Sequence, residues 1–473
     1  MSINQIFDQS KASLGANQKA LAVTSHNISN ANTEGYSRQR VEMEARAPYG
    51  LGKVRVGNGV NVNAVTRASS TFVARRLEAL NSQVGKSENY SGVLHQIEDI
   101  FVDDAEKGLN KSFSDFFNDV RNLSSQPNST AMRAGVVESA KTLSTKFRSI
   151  QGSLDGIRND IDGRITVTVD KINSLSQRIA DLNRQIQTIE GSQGIANDEK
   201  DMRDLNLKEL STLVDINVME NDNGSITVSS GRMGDLVSGV DAYKVSAVRN
   251  TTPGGYFDGA MQVALKSSTG ESVTVVSDFV KGGELGAYLK ARDETLAGVA
   301  KNLDSLAFNF SKQVNDLHQG GFTLNGQQGG NIFDVGGDEK RAASKIAVTD
   351  ELMRSPGMLA AGMTRNAPGD NRALLKLADL ENSKVLNGES SFADFAGQMI
   401  AKIGIESRGA EETLQNQKGI LTQIENLREQ ESGVSLDEEA LNMVRFQKAF
   451  DASAKVIQVA DSMLETVLNL KRF

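Results

Sequence analysis

Leu143, Phe147, Ile150, Leu154, Ile157, Ile161, Ile165, Thr168, Ile172, Leu175, Ile179, Leu182, Ile186 and Ile189 follow one another at spacings of three and four. The rhythm breaks once, in a four-residue stutter at Ile161–Ile165. Such a run puts every apolar side chain on one stripe of a helix, and about 47 residues of helix reach about 70 Å. A chain built around it is not a rounded globule with a central cleft. The stripe needs partners, and the sequence supplies them in Val299, Leu303, Leu306, Phe310, Val314 and Leu317, and in Leu414, Leu421 and Ile424. Phe72–Phe101 and Leu109–Leu123 add shorter amphipathic stretches. Only 5 prolines occur in 473 residues, which suits long unbroken helices.

Both chain ends carry narrower patterns. Phe7, Leu14, Leu21 and Ile28 recur at strict heptad spacing, flanked by a seam of small or polar residues, Ser10, Asn17 and Thr24. Leu436, Met443, Phe450, Ile457 and Leu464 mirror them at the other end, with Phe446, Ser453, Ala460 and Val467 on a flanking seam. Ser435-Leu-Asp-Glu438, just past Gly433, reads as a capping box that starts the last helix. Heptads of this kind make coiled-coil helices, and the simplest pairing is end with end. So thin a stripe stabilises such a pair only marginally against the entropy of ordering it. The ends are therefore expected to order fully only when bundled with further copies, and the stripe residues are the expected assembly interface. Charge agrees with crowding there. Residues 1–45 hold four basic and four acidic side chains and residues 435–473 hold five and six, so most of the net charge of −8 lies in the middle.

Strand signals interrupt the helical pattern twice. Val54-Arg-Val56-Gly-Asn58-Gly59-Val60-Asn-Val62 alternates around an Asn-Gly turn and predicts a hairpin near 53–65. Short β-rich runs between Asp215 and Phe279, such as Ser225-Ile-Thr-Val-Ser and Ser272-Val-Thr-Val-Val, predict a small all-β insertion. The expected fold class is mainly α: an elongated multi-domain rod with terminal coiled-coil helices paired N-to-C, a long helical-bundle domain and an inserted β-rich outer domain. Residues 1–45 and 435–473 form the terminal domain in this reading. Residues 46–213, 284–319 and 370–434 form the helical domain, 214–283 the β-rich domain, and the Gly-rich 320–369 an irregular connector.

Candidate chemistry is scarce. With no Cys there is no thiolate metal site, disulfide or Cys nucleophile. His26 has no ligand-type residue at i±3 or i±4 and reads as a helix-surface side chain. His95, with Glu98 and Asp99 following, reads as a surface helix pair. His318 ends a predicted helix, where a cation suits the dipole. Asp103-Asp104-Ala-Glu106 and Asn221-Asp222-Asn223-Gly224 lack the ligand spacing of a calcium loop, and Gly50-Leu-Gly52 lacks that of a nucleotide loop. No catalytic, cofactor-binding or metal residue is assigned, and no cofactor is expected. The absence of a basic block argues against a nucleic-acid partner. Mean hydropathy is −0.34 and no run of 18 apolar residues occurs, so no membrane insertion is expected. The N-terminus also lacks a Sec-type signal pattern.

After the first heptads comes Asn27-Ile-Ser-Asn30-Ala-Asn32-Thr-Glu-Gly35-Tyr36-Ser-Arg38-Gln39. This resembles the N-terminal signature of the bacterial flagellar axial proteins, the rod, hook and hook-associated family. Ser432-Gly-Val-Ser-Leu436-Asp-Glu-Glu439 and Arg445-Phe-Gln-Lys-Ala-Phe450-Asp-Ala-Ser-Ala-Lys-Val-Ile457 resemble that family's other end. The Gly-Tyr-Ser-Arg-Gln form, the long helical run and Gly282-Gly-Glu-Leu-Gly286 are similar to the hook-associated branch. The resemblance implies a structural subunit, not an enzyme, at the hook–filament junction, exported through the flagellar type III channel. Its implied partners are lateral copies of itself, the hook protein, hook-associated protein 3 and an export chaperone on the C-terminal helix. Its motif residues here are Asn27, Asn30, Asn32, Gly35, Tyr36, Arg38 and Gln39. The competing readings are a rod or hook subunit, favoured by a mostly β middle, and a secreted coiled-coil translocator or adhesin, which needs a long apolar hairpin.

Overall fold

The computed structural model describes residues 3–48, 57–102, 108–231, 233–251, 256–266, 273–367, 369–384 and 390–470. In chain order the elements are α1 (Ile3–Ser29), β1 (Gln39–Ala45), β2 (Val60–Arg67), α2 (Thr71–Val102), α3 (Leu109–Ser125), α4 (Thr130–Gly191) and α5 (Asn197–Leu213). Seven strands follow: β3 (Asn217–Glu220), β4 (Ile226–Ser230), β5 (Gly234–Ser238), β6 (Asp241–Ala242), β7 (Val245–Arg249), β8 (Met261–Lys266) and β9 (Val273–Val275). Then come α6 (Gly283–Lys290), a π-helical turn (Ala291–Leu296), α7 (Ala297–Gln319), β10 (Phe333–Asp334), α8 (Ala342–Lys345), β11 (Ala347–Val348) and α9 (Asp350–Arg354). The chain closes with α10 (Arg372–Asp379), α11 (Phe392–Ser432) and α12 (Leu436–Leu470). The fold is mainly α, with small antiparallel sheets in its middle.

The periodic run lies inside α4, whose 62 residues extend about 90 Å along their axis. Leu143, Phe147, Leu154, Ile161, Ile165, Ile172, Ile179 and Ile186 are all buried. Two compact units divide the chain: residues 1–82, 172–244 and 417–473 form one, and residues 83–171 and 245–416 the other. The boundary therefore differs from the expected one, because the terminal helices share their unit with β1, β2, α5 and a sheet.

In the first unit β1 and β2 pair antiparallel, from Gln39 opposite Arg67 to Ala45 opposite Val60, with a bulge at Glu42/Met43. The strand expected from Val60 onward thus pairs with Gln39–Ala45; the expected first arm, Val54–Val56, lies outside the described residues. Gly59, at φ +86°, sits against Gln9 of α1, where a Cβ would lie 3.2 Å from that side chain. Strands β3–β6 form a four-stranded meander. A buried asparagine on α4 holds it: Asn183 Nδ2 donates to Ile226 O at 3.0 Å and to Gly239 O at 2.6 Å, while its Oδ1 accepts from Ile226 N at 3.2 Å.

In the second unit β7–β9 make a separate three-stranded sheet. The stretch 214–283 is consequently not one β-rich domain but two sheets in different units, because the chain leaves the first after β6 and starts the second at Val245. The core here is aromatic. Phe310 of α7 lies 5.1 Å from Phe113 (α3), 5.2 Å from Phe392 (α11) and 5.3 Å from Phe333 (β10), ring centre to ring centre. The π turn buries Arg292, which donates to Asp162 of α4 at 2.7 Å and to both oxygens of Asp293. The Gly-rich connector is closely packed. At Gly329 a Cβ would lie 2.2 Å from His318 O and 3.0 Å from the Cβ of Ala360. Its glycines mark close backbone approach, not slack.

Candidate assembly surface

Helices α1 and α12 pack against each other, and two contacts fix their sense. Ser13 Oγ meets Ser453 Oγ at 3.0 Å, and Asn27 Nδ2 donates to Glu439 Oε2 at 3.1 Å. Residues early in α1 thus face residues late in α12, an antiparallel pair. The fully buried positions of α1 are Ser10, Ala16, Asn17, Ala20, Thr24 and Asn27. Phe7, Leu14, Leu21 and Ile28 are only half-buried and lie along one edge of that stripe. The heptad thus exists, but the seam of small and polar residues occupies the middle. Small side chains let backbones approach, and Asn17 satisfies itself within α1, donating to Ser13 O at 2.9 Å.

On α12, Met443, Phe450, Ile457 and Leu464 are half-buried, Ala460 is buried, and Leu436 is exposed in the first turn. A second apolar row, which the heptad reading passed over apart from Val467, faces away from α1. Leu441 (72% exposed), Val444, Val456, Val459, Met463 (51%) and Val467 share one side of the helix. Their spacing of three and four from Val456 to Val467 is the signal in the sequence; the stronger heptad beside it masks the pattern.

The motif residues converge where α1 ends and α12 begins. Asn27 is buried with all its polar atoms used: Oδ1 accepts Tyr36 Oη at 2.8 Å and Gln39 N at 2.9 Å, and Nδ2 donates to Gln39 O at 2.9 Å as well as to Glu439. Arg38 reaches the same carboxylate, with Nε and Nη2 each 2.7 Å from Glu439 Oε1 and Nη1 2.7 Å from Glu438 Oε2. Arg38 N also donates to Ser432 O at 2.9 Å. Ser435 Oγ accepts Glu438 N at 3.4 Å, the expected helix cap; the Glu438 carboxylate is turned to Arg38. Asn30 Nδ2 donates to His26 O at 3.1 Å and Asn30 Oδ1 accepts Thr33 Oγ1 at 3.2 Å, closing the end of α1. Asn32 is exposed beside them. Gly35 turns the chain at φ +84°, and a Cβ there would stand 3.3 Å from that of Leu205.

Helix α5 completes the cluster, and its part was not legible beforehand. Gln39 Nε2 donates to Asp198 at 2.8 Å, Ser37 N to Asp201 at 3.0 Å, and Arg67 Nη1 to Asp201 at 2.7 Å and Asp204 at 2.8 Å. Burial, then Asp198, Asp201 and Glu439, push the Tyr36 phenol far above its usual range, so it stays a donor. Burial also raises Asp201, against the pull of Ser37 N–H and Arg67. Burial works against the Arg67 charge, yet Asp204 and Asp201 outweigh it and hold its pKa above the ordinary value. His26 stacks on Tyr36 with ring centres 5.6 Å apart and lies 3.6 Å from Asp198. A network this densely partnered fixes the geometry where α1, α5 and α12 meet.

Elsewhere His95 does pair with Glu98, at 3.7 Å, across one helix turn. His318 departs from expectation: it is buried, not a cation at an open helix end, because the connector folds back over it. Asn221–Gly224 is the β3–β4 turn, with Gly224 at φ +78°. Asp103–Glu106 and Gly50–Gly52 lie outside the described residues. Among the described residues no group of three or more His, Cys, Asp or Glu could hold a metal ion, and no helix is long and apolar enough to cross a membrane.

Residues 94–333 match the family model of the flagellar hook-associated protein FlgK helical domain. Residues 13–36 match that of the flagella basal body rod protein, and 429–470 that of the flagellar basal body rod FlgEFG protein C-terminal region. The chain is 30% identical to flagellar hook-associated protein 1 of Bacillus subtilis, across 98% of this chain and 97% of that protein. It is 25% identical to the protein of the same name from Escherichia coli, across 99% and 100%. The fold is similar to the flagellar hook junction protein FlgK from Burkholderia pseudomallei, with a TM-score of 0.68, 16% identity, and coverage of 76% of this chain and 100% of that one. With the helical-domain model spanning half its length and a 30%-identical relative spanning nearly all of it, the chain belongs to the flagellar hook-associated protein 1 (FlgK) family.

Proposed function

We propose that this chain is a subunit of the hook–filament junction that assembles with copies of itself through α1 and α12. The family is flagellar and structural. The observation that carries the reading further is the second apolar row on α12. A helix already packed on one side has no use, as a monomer, for Leu441, Val444, Val456, Val459, Met463 and Val467 on the other. Covering six half-exposed side chains returns about 1 kcal/mol each, about 6 kcal/mol per subunit contact. A row that meets a different surface on the next copy makes a heterologous contact, which propagates into a helical tube rather than closing as a dimer. The Asn27–Arg38–Glu439 cluster holds α12 in register so that the row is presented in one orientation. The hook protein, hook-associated protein 3, an export chaperone on α12 and type III export complete the proposal. The same exposed row favours the chaperone, since a lone copy in the cytoplasm needs it covered.

The test is association of the full chain with Val459→Asp and Met463→Asp introduced together. In sedimentation velocity the wild type should self-associate as concentration rises, the double variant should stay monomeric, and Val275→Asp, an exposed strand position, should behave as wild type. Undiminished association of the double variant would remove α12's outer row from the interface.

A further inference from the structure

We propose that His318, at the end of α7, is a proton-sensitive latch that holds the segment Pro356–Gly362 in place and releases it on protonation. The ring is 3% exposed and lies between two backbone groups. Nδ1 is 2.7 Å from Gly330 O and Nε2 is 2.7 Å from Ala360 N. A carbonyl only accepts and an amide only donates, so Nδ1 carries the proton and Nε2 offers its lone pair. That arrangement exists only for the neutral ring. A proton on Nε2 sets two donors against each other and breaks the bond to Ala360.

The surroundings give an imidazolium nothing in exchange. Arg133 of α4 is 1% exposed and spends its guanidinium on carbonyls, Pro127 O at 2.9 Å, Gly357 O at 3.5 Å and Leu359 O. It therefore holds the same segment that His318 holds, and it is already a buried cation. Neither Pro356–Gly362 nor Gly320–Gly330 contains a titratable side chain. From α9, Glu351 comes near Gly330, its Oε2 3.7 Å from where a Cβ there would stand, but it is exposed to solvent. On α7 itself Asp316 and Lys312 are exposed as well. Burial depresses the ring's affinity for a proton; the Gly330 bond opposes this and Arg133 reinforces it. The native ring thus binds a proton less readily than the unfolded one. The latch is at full strength above about pH 6.5, the free histidine value, and weakens as pH falls below it.

Release is local. Phe322 N donates to Gly362 O at 2.8 Å and Ala361 N to Phe322 O at 3.1 Å, so Gly321–Phe322 and Ala360–Gly362 open together. The Phe310 cluster does not depend on those bonds.

The experiment uses the full chain, whose 3 histidines make a long-range 1H–15N spectrum simple to read, with His26 and His95 as surface references. At pH 7.5 the His318 signal should be that of the Nδ1–H tautomer. Below about pH 6.5, amide protection at Ala360 and Phe322, corrected for intrinsic exchange, should fall by up to tenfold per pH unit, while that of Ala307 and Phe310 holds. His318→Gln, which offers one acceptor and one donor but no titration, should keep the protection and lose the pH dependence. The Nε2–H tautomer at pH 7.5, or an equal acid response in His318→Gln, would overturn the proposal. Should that variant fail to fold, the wild type still decides: Ala360 protection must begin to fall near the free-histidine value while the native ring itself titrates below it, and protection that stays flat until the ring titrates would overturn the proposal.

Discussion

Glu439→Ala tests whether the polar cluster, rather than the thin apolar stripe, holds α12 to α1. Glu439 is 2% exposed and Arg38 12% exposed, so their interaction is largely shielded from water. Removing one partner of a buried ion pair costs about 3–5 kcal/mol, because the remaining charge stays desolvated. Arg38 keeps Glu438, a surface partner worth up to about 1 kcal/mol, and Asn27 keeps Gln39. The net loss should be about 3 kcal/mol, or about a hundredfold in the local opening equilibrium. The assay is native-state hydrogen exchange on dilute monomer. Amides across Ala16–Thr24 and Arg445–Ile457 should lose about a hundredfold in protection, and those in the middle of α7 should not change. Glu439→Gln, which still presents an oxygen to Arg38, should lose less than Ala does. A change under tenfold in α1 and α12, or an equal loss in α7, would refute the reasoning. The first result would return the pairing to the stripe, and the second would make the ends part of one cooperative core.

Two further outcomes follow from the same unit. Gly35→Ala forces a side chain into a left-handed turn against Leu205, so the Tm of the first unit should drop by the equivalent of about 1–2 kcal/mol; Leu205→Ala should not restore it, because the φ remains and the tight contact is with the Cβ that Ala keeps. Burial, and then Asp204, against the pull of Arg75, raise Glu78 to about 7. The folded state therefore binds this proton more tightly than the unfolded one. That contribution is complete below about pH 4.5 and lost as pH rises toward 7, by about 1–3 kcal/mol in all. Chemical denaturation between pH 5 and 8 should show the slope, and Glu78→Gln should flatten it.

Helices were the most legible part of this fold because their signal is periodic and local. The run from Leu143 to Ile189 announces α4 directly, and Ser435 announces the start of α12. What escaped was the choice between faces. On α1 the large residues draw the eye, yet Ser10, Asn17 and Thr24 take the middle of the seam, because contact distance favours small side chains. On α12 two apolar rows share one helix, and a single heptad accounts for one of them. The pairing of β2 with Gln39–Ala45 was not legible because an Asn-Gly pair marks a turn without saying which more distant strand joins the sheet. The contribution of α5 was hidden for a different reason: Asp198, Asp201 and Asp204 look like a solvated helix face, and only tertiary structure brings Ser37, Gln39 and Arg67 to them.

Asn27 and Glu439 are 412 positions apart along the chain, yet one hydrogen bond joins them. A molecule emerging N-terminus first therefore presents its opening helix long before the closing helix arrives. Until then the amide of Asn27 and the guanidinium of Arg38 wait without the carboxylate that completes them. A polypeptide that lacks α12 has neither Glu438 nor Glu439 to offer Arg38 and cannot finish this joint. The joint thus ties the two most distant helices of the sequence to each other, and neither half of it has a meaning without the other.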